Sequence, residues 1–258
     1  MSVFTSTKKY SLVLLLLVLV LTGCGVSNEP INAETSGWFN HYFVYNFSQL
    51  IKWIAELLGG NYGLSIIAMT LLIRLALLPL MMKQSKGSYA SREKMQVIKP
   101  ELDELQNKYK GKKDPESRQK MQQEMMQLYQ KHQFNPIASI GCLPLIIQFP
   151  ILIGFYYAIL RTPEIASHTF LWFNLGQVDY VMPFIAAAIY YLQFKVSMIG
   201  MDPAQQKQMA FMGLLSPLMI GFVSFTTPAA LPLYWTVGGL FLIGQSLLFK
   251  KLYAKKDE

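Results

Sequence analysis

The sequence is poor in charge: Asp, Glu, Lys and Arg together make up 15% of its 258 residues. A soluble domain usually carries about 25% charged residues, so this shortage argues against a soluble globular protein. The hydrophobic residues, 52% of the chain, are gathered instead into runs of about 20, which is the length that a bilayer-spanning helix requires. The sequence therefore predicts a polytopic membrane protein.

Cysteine and histidine are also scarce. The two cysteines, Cys24 and Cys142, form no CxxC pair, and the histidines are scattered over separate segments. This spacing argues against a disulfide scaffold and against a zinc site. The sequence contains no HExxH, P-loop or GxSxG motif, which are signatures of metalloproteases, nucleotide-binding proteins and hydrolases. We therefore predict no enzymatic activity, no cofactor and no metal.

The N-terminus has the pattern of a secretory signal. Lys8 and Lys9 precede a short apolar run over 11–21, and Leu-Thr-Gly-Cys follows at 21–24. A basic start, a short apolar core and small residues before a cleavage site are typical of a signal peptide. The LTGC sequence resembles a lipobox, so we expect a lipoprotein-type signal peptide over 1–23 and lipidation of Cys24. The alternative interpretation is an uncleaved first span.

Five further apolar segments are long enough to be transmembrane helices. Before them, residues 24–61 combine a polar linker with an aromatic-rich stretch over 38–58, which is typical of an amphipathic helix in the membrane interface. Residues 62–82 form the first predicted span, 83–135 a long polar segment, 136–250 the other four spans and 251–258 a basic tail. The predicted spans are Gly63–Met82, Pro136–Leu160, Tyr180–Ile199, Met209–Phe225 and Leu231–Phe249, with a polar turn over 200–208.

The distribution of Lys and Arg predicts the orientation. Twelve basic residues lie in 83–135 and four in 250–256, whereas the segments on the other side hold only Lys52 and Arg161. Since cytoplasmic loops carry the excess of positive charge, the N-terminus is predicted outside and the C-terminus inside the cell membrane.

The polar segment 83–135 has a helical period of its own. Two apolar stripes are spaced by three and four residues, and Asp114-Pro115 between them is a favourable helix start. The pattern predicts a cytoplasmic helical hairpin. The stripes can serve only to join the two arms, or the basic outer face can also dock a ribosome, anionic lipid or another membrane protein. The stripes are Met95, Ile98, Leu102, Leu105 and Tyr109, followed by Met121, Met125, Leu128 and His132.

Arg74 is the only charged residue of the first predicted span. A charge at this depth costs at least about 2.5–3.5 kcal/mol, and none of the five spans offers an Asp or Glu within its core. Arg74 therefore requires either water inside the bundle or a partner from another molecule. The uncharged polar residues that can line such a groove are Thr70, Gln148, Gln193 and Gln245, with Tyr156, Tyr157 and Trp235 as mixed surfaces. The glutamines can instead form interhelical hydrogen bonds that only join the bundle, and Arg74 can instead reach the membrane surface by snorkelling.

Four stretches carry a resemblance to a known family: NYGLSIIAMTLLIRLALLPL around Arg74, FNPIASIGCLPLIIQFPILIGFYYAI, FLWFNLG and LPLYWTVGGLF. They resemble the YidC–Oxa–Alb membrane protein insertases, and most closely the lipoprotein-type branch of Gram-positive bacilli. The resemblance implies an all-α membrane protein with five transmembrane helices around a hydrophilic groove that is open to the cytoplasm. It implies that Arg74 lies in the groove, with Gln148, Gln193 and Trp235 on the wall.

The activity implied by the resemblance is the insertion of small membrane proteins. Its implied partners are nascent membrane proteins, the Sec translocon and the lipid bilayer, with the ribosome as a further partner of the basic hairpin and tail. Two other interpretations stay open. One is a transporter or channel with Arg74 as an anion site, although no internal repeat of the usual transporter design is visible. The other is a scaffold protein that works through its hairpin.

Overall fold

The computed structural model describes residues 29–112, 114–134, 143–201 and 203–253. The described chain is predominantly helical, as the sequence predicts. The predicted signal peptide, Cys24 and Cys142 lie outside the described residues. The helices of more than four residues are a π-helical segment Asn40–Tyr45, α1 (Asn46–Leu57), α2 (Tyr62–Lys108), α3 (Pro115–Lys131), α4 (Leu143–Leu160), α5 (Met182–Met198), α6 (Pro203–Ser224) and α7 (Ala230–Tyr253).

Two helices of the described residues are long and apolar enough to cross a membrane, namely α2 and α7. Shorter apolar stretches occupy Gln148–Leu160 in α4 and Gly213–Ser224 in α6. The presence of five spans stays a prediction.

Helix α2 is longer than the first predicted span, and one predicted turn is partly wrong. The first predicted span ends at Met82, and α2 continues without a break to Lys108, so the membrane boundary at Met82 stays a prediction. The region 83–92 contains Gly87 but no proline, and a single glycine weakens a helix without ending one that has already formed. The predicted polar turn over 200–208 is also shorter than expected, because α6 begins at Pro203. Proline is favoured at the first helical position, where its missing N–H costs nothing.

The chain divides into two compact units, one comprising the residues up to Leu75 and Ile146–Gly244, the other Ala76–Leu145 and the residues from Gln245. In the first unit, the core contains Ile51 of α1, Ile66 of α2 and Phe155 of α4, all fully buried. The helices α5 and α6 pack closely, since a methyl group at Gly213 would overlap the ring of Phe194.

Buried polar bonds join the helices at the Tyr62 end of this unit. The Ser65 hydroxyl donates to the Ile51 carbonyl at 2.5 Å. The Thr162 hydroxyl donates to the Ala158 carbonyl at 2.6 Å, so the Ser48 hydroxyl, 2.7 Å from the Thr162 oxygen, is the donor in that pair. Because a buried hydroxyl without a partner is costly, these bonds fix the positions of α1, α2 and α4 relative to one another.

A short connection closes the same end. It contains a one-turn helix, Pro163–Ala166, and two antiparallel strands, β1 (Thr169–Phe170) and β2 (Phe173–Asn174). The ring of Phe170 lies against Gly63, where any side chain would overlap it. The Ala230 N–H donates to the Leu175 carbonyl at 3.0 Å, which attaches the start of α7 to this connection.

In the second unit, the end of α2 and the helix α3 form the predicted hairpin. The Asp114 carboxylate accepts a hydrogen bond from the Ser117 N–H at 2.7 Å, and Pro115 is the first helical residue. The predicted cap is therefore confirmed. All nine residues of the two predicted stripes are buried or partly buried. Ion pairs link the arms, with Lys108 and Lys131 each 2.7 Å from a carboxylate oxygen, of Glu124 and Glu101 respectively.

Candidate functional site

Arg74 lies in α2 and is partly buried. Its Nη1 atom is 3.5 Å from the Oε1 atom of Gln148 in α4. This distance is at the long limit of a hydrogen bond, and the acceptor is a neutral amide. The structure therefore brings together two of the residues that the sequence singled out, but it joins them only weakly. A guanidinium has five N–H donors, so most of its hydrogen-bonding capacity is not used by Gln148.

Helix α7 approaches Arg74 from another side. A methyl group at position 238 would lie 3.2 Å from the Arg74 Nη2 atom, so the guanidinium rests directly over the Gly238 backbone. At the next position, Gly239, an added methyl group would lie 2.7 Å from a Cγ2 methyl of Ile189 and 3.3 Å from the Tyr190 ring. Small residues allow helices to approach closely in a membrane bundle. The Gly-Gly pair thus brings α7 against both α2 and α5.

Tyr190 of α5 lies beside Gly239, and Tyr234 of α7 lies about one helical turn before Gly238. Tyr234 is 5% exposed, and its ring packs against Phe155 with 5.0 Å between ring centroids. The groups that lie directly beside Arg74, the Gln148 amide of α4 and the Gly238 backbone of α7, carry no formal charge.

No carboxylate in the described residues forms an ion pair with Arg74. The described residues also contain no group of three or more His, Cys, Asp or Glu side chains that could hold a metal. An uncompensated guanidinium with spare donors is suited to binding an anion or a polar oxygen from outside the chain. It supplies neither a nucleophile nor a general base.

The other predicted groove residues take different positions. Thr70 is 1% exposed, and its hydroxyl donates to the Ile66 carbonyl of its own helix at 2.6 Å. Gln193 is partly buried, and Trp235 packs against the core while staying partly exposed. Their role in a groove stays a prediction.

Burial along α2 changes at the level of Arg74. Ser65, Ile66, Met69 and Thr70 are buried. From residue 71 to residue 80 every side chain is partly or fully exposed. Helix α2 is thus more buried before Leu71 than after it, and Arg74 lies just beyond this change in burial.

Four residues of this site were not singled out from the sequence: Tyr190, Tyr234, Gly238 and Gly239. A pair of glycines inside an apolar helix signals close helix approach, so Gly238 and Gly239 were detectable in LPLYWTVGGLF. The tyrosines gave no separate signal, since aromatic residues are frequent throughout the apolar segments.

A cleft of about 650 Å³ lies between the arms of the hairpin. Its apolar lining is provided by Leu105 and Leu128. Of its three carboxylates, Glu101, Glu104 and Glu124, those of Glu101 and Glu124 are paired with lysines of the opposite arm. The charges of this cleft are therefore largely compensated within the chain, in contrast to the charge of Arg74.

Comparison with known proteins places the chain in a family. The family described as "60Kd inner membrane protein" matches residues 53–257. The chain is 52% identical over 244 residues to membrane protein insertase YidC 2 of Listeria monocytogenes, which covers 95% of this chain and 87% of that protein. It is 50% identical over 236 residues to YidC 2 of Bacillus anthracis, covering 91% and 89% of the two chains. It is also 48% identical over 241 residues to the insertase MisCA of Bacillus subtilis, and the aligned region covers 93% of this chain and 89% of that protein.

These similarities, together with the apolar helices, define the chain as a protein of the cell membrane. It belongs to the 60Kd inner membrane protein family, the family of the YidC membrane protein insertases. The predicted family relationship is thereby confirmed.

Proposed function

We propose that this chain is a membrane protein insertase whose Arg74 site receives the acidic or polar tail of a small membrane protein. The observation that carries the proposal is the state of Arg74: a partly buried guanidinium with one long bond to a neutral amide and no carboxylate partner in the described residues. Such a group attracts a substrate carboxylate, because a charge-assisted bond is about twice as strong as a neutral one.

The architecture that we propose around this site is a hydrophilic groove formed by five transmembrane helices. Support comes from Gln148 of α4 and Gly238 of α7, which lie beside Arg74, and from the exposure of α2 beyond it. Thr70, Gln193 and Trp235 complete the proposed wall. A polar tail in a hydrated groove keeps its hydrogen bonds, which lowers the cost of moving it part of the way across hydrocarbon.

Burial of the substrate's own apolar segment supplies the driving force. Each large apolar side chain that leaves water contributes about 1.5–3 kcal/mol. For a segment of about 20 residues, the length of one span, the sum exceeds the cost of carrying one or two charges into the groove. No nucleotide is required for this step, which agrees with the absence of a nucleotide-binding motif in the sequence.

The same proposal gives the chain a lipid anchor at Cys24 outside the cell and a C-terminus in the cytoplasm. The basic residues of 83–135 and of the tail support this orientation through the positive-inside rule. The hairpin and tail would then face the Sec translocon and the ribosome. Labelling of single cysteines at Gln106 and Gln177 with a membrane-impermeant reagent tests the orientation, since only position 177 should react in intact cells.

The experiment that tests the insertase proposal uses the full chain in cells depleted of native insertase. Arg74→Ala and Arg74→Lys are compared with the unmodified protein for insertion of a single-span substrate with an acidic N-terminal tail. The same substrate with its tail carboxylates replaced by amides serves as the matched control. We expect Arg74→Ala to reduce insertion of the acidic substrate at least tenfold, and to affect the neutral substrate much less.

The Arg74→Lys variant distinguishes the contribution of the positive charge from that of the planar guanidinium group. If charge alone matters, Arg74→Lys retains most of the activity, whereas a requirement for the planar fork of the guanidinium makes it behave like Arg74→Ala. Normal insertion of the acidic substrate by Arg74→Ala would contradict the proposal. If deletion of the hairpin stopped insertion in the same assay, the scaffold interpretation would replace it.

A further inference from the structure

Five basic residues follow the apolar parts of α2 and α7: Lys83, Lys86 and Arg92 on α2, and Lys250 and Lys251 on α7. No acidic residue occurs in 76–92 or in 245–253. In 93–134, by contrast, nine basic residues alternate with seven acidic ones. The basic residues in 76–92 and in 245–253 are therefore not interleaved with acidic ones.

Lys83 and Lys250 lie at similar distances from the starts of their helices. From Tyr62 to Lys83 the helix α2 rises by about 31 Å, and from Ala230 to Lys250 the helix α7 rises by about 30 Å, at 1.5 Å per residue. Both lengths match the thickness of the hydrocarbon core of a bilayer, about 30 Å. The lysines thus begin where the lipid headgroups begin.

Aromatic contacts bring the two basic segments together. The rings of Tyr89 in α2 and Tyr253 in α7 lie 6.3 Å apart, and both belong to the second compact unit. The Arg92 guanidinium lies over the Tyr89 ring, 5.3 Å from its centroid. Lys86 and Lys250 each precede one of these tyrosines by three residues, about one helical turn. The tyrosine pair therefore fixes cations of both helices beside the same small area.

The cations of this area are open to a partner. Lys83, Lys86 and Lys251 are exposed, while Lys250 and Arg92 are partly buried. None of the five takes part in an ion pair within the described residues. Farther along the hairpin, Lys108, Lys120 and Lys131 each lie within 2.8 Å of a glutamate oxygen. Like charges held together without a counter-ion favour an anion at the site.

We propose that this cluster is a binding site for the headgroup of an anionic phospholipid. Its depth, its charge and its two flanking tyrosines are those of a lipid-phosphate site at a membrane surface, where phenol rings are favoured and clustered Lys and Arg bind anionic headgroups. The site is separate from Arg74, and it depends on the membrane location of the chain and not on the insertase proposal.

The test uses the purified full chain in mild detergent and measures retained lipid by native mass spectrometry. Phosphatidylglycerol is titrated, with phosphatidylcholine as the neutral reference. Lys86→Gln combined with Lys250→Gln removes two charges of the site. Lys110→Gln combined with Lys112→Gln removes two exposed charges at the turn of the hairpin and is the matched control, since the change in net charge is the same.

We expect the unmodified chain to retain phosphatidylglycerol in preference to phosphatidylcholine. Each charge near an anionic headgroup contributes about fivefold in affinity, so the juxtamembrane double variant should bind about 25-fold more weakly. The control variant should change less than twofold. Lys86→Arg combined with Lys250→Arg should bind normally. Tyr253→Ala, which removes no charge, should also weaken binding, because the two helix ends are then no longer held together.

Equal losses in the juxtamembrane and control double variants would overturn the proposal, because they would show that only the net charge matters. An unchanged preference in the juxtamembrane variant would overturn it as well. A single-stranded RNA oligonucleotide is added as a competitor, and displacement of the lipid by RNA at equal concentration would reassign the cluster to a nucleic acid. Thermal unfolding of each variant shows that the comparison is between folded proteins.

Discussion

Arg74 and Arg161 belong to the same compact unit, and their donor groups are satisfied to different degrees. Arg161 is 5% exposed. Its Nε atom donates to the Glu29 carbonyl at 2.8 Å and its Nη1 atom to the Asn40 side-chain oxygen at 3.1 Å. Its own carbonyl accepts from the Ile31 N–H at 3.0 Å. Arg74 is more exposed and has one bond of 3.5 Å to an amide.

The difference distinguishes Arg161, whose hydrogen bonds hold the fold together, from Arg74, whose hydrogen-bonding capacity is largely unused. Arg161 joins the N-terminal linker, the π-helical segment and the end of α4, so its bonds are part of the folded state. The single bond that Arg74 makes is too long to offset the cost of removing a guanidinium from water. This contrast supports the proposal that Arg74 interacts with a group outside the chain.

The largest expected effect on stability is that of Arg161→Met. This change removes the guanidinium but keeps much of its apolar volume, and it leaves the Glu29 carbonyl and the Asn40 side chain without their donor. We expect the free energy of unfolding in mixed micelles to fall by about 2–4 kcal/mol. Arg74→Met should change it by less than about 1 kcal/mol, because the loss of one weak bond is offset by removal of a poorly compensated charge. The reverse order of the two effects would refute the distinction.

The next effect concerns the space beside Arg74. Gly238→Leu fills the position over which the guanidinium lies, so Arg74 must move. We expect insertion of an acidic-tailed substrate to fall about tenfold, which corresponds to 1.4 kcal/mol. Gly244→Leu is the matched control, because no atom lies within 4 Å of a methyl group built there. Equal activity of the two variants would show that the position of Arg74 is not critical.

A smaller effect is expected at the Tyr62 end of the same unit, where buried hydroxyl groups join the helices. Ser48→Ala removes the donor to the Thr162 hydroxyl but leaves the bond from Thr162 to the Ala158 carbonyl. We expect a loss of about 1 kcal/mol in the free energy of unfolding. Ser167→Ala, at an exposed hydroxyl, should cost less than about 0.5 kcal/mol. Similar losses in both variants would argue against a special contribution of the buried pair.

The smallest effect is expected in the hairpin, whose ion pairs are exposed. The hydrogen bond from Lys131 holds the pKa of Glu101 below its ordinary value of 4.5, and the hydrogen bond from Lys108 does the same for Glu124. Because the folded-state pKa values are lowered, this contribution is fully present above pH 4.5 and is lost as the pH falls below it.

Spin labels at Gln106 and Gln127, both on exposed positions, measure this pairing in the full chain. We expect a narrow distance distribution between the arms at pH 7 that broadens below pH 4.5. Glu101→Gln combined with Glu124→Gln should broaden it at pH 7 and remove the pH dependence. A distribution that stays narrow in this variant would mean that the apolar stripes alone align the arms.

The hairpin was the most predictable part of the molecule. Its stripe spacing and its Asp114-Pro115 cap are local signals, and a helix start depends on residues within one turn. The same local reasoning failed at 200–208, where polar residues suggested a turn but Pro203 begins a helix. Polar residues indicate that a segment is exposed to water, but they do not distinguish an exposed helix end from a loop.

The Arg74 site was predictable only in part. The missing carboxylate partner and the candidate Gln148 follow from composition and from the cost of a charge in hydrocarbon. The contact between Arg74 and Gly238 depends on which helices are neighbours and on how each helix is rotated about its axis. The hydrophobic period of the sequence does not give this rotation when a helix is apolar on most of its surface. Arg161 shows the same limit, since its position in the sequence gives no indication of its buried bonds to Asn40 and Glu29.

The order of synthesis gives the Arg74–Gly238 contact one more consequence. These residues are 164 positions apart, so at about 5–20 residues per second α7 leaves the ribosome roughly 10–30 s after Arg74. During that interval Arg74 lacks the helix that will cover it, and its span carries an unshielded charge. The maturing chain thus has the same difficulty as the substrates we propose for it, and the site is complete only once α7 has been made.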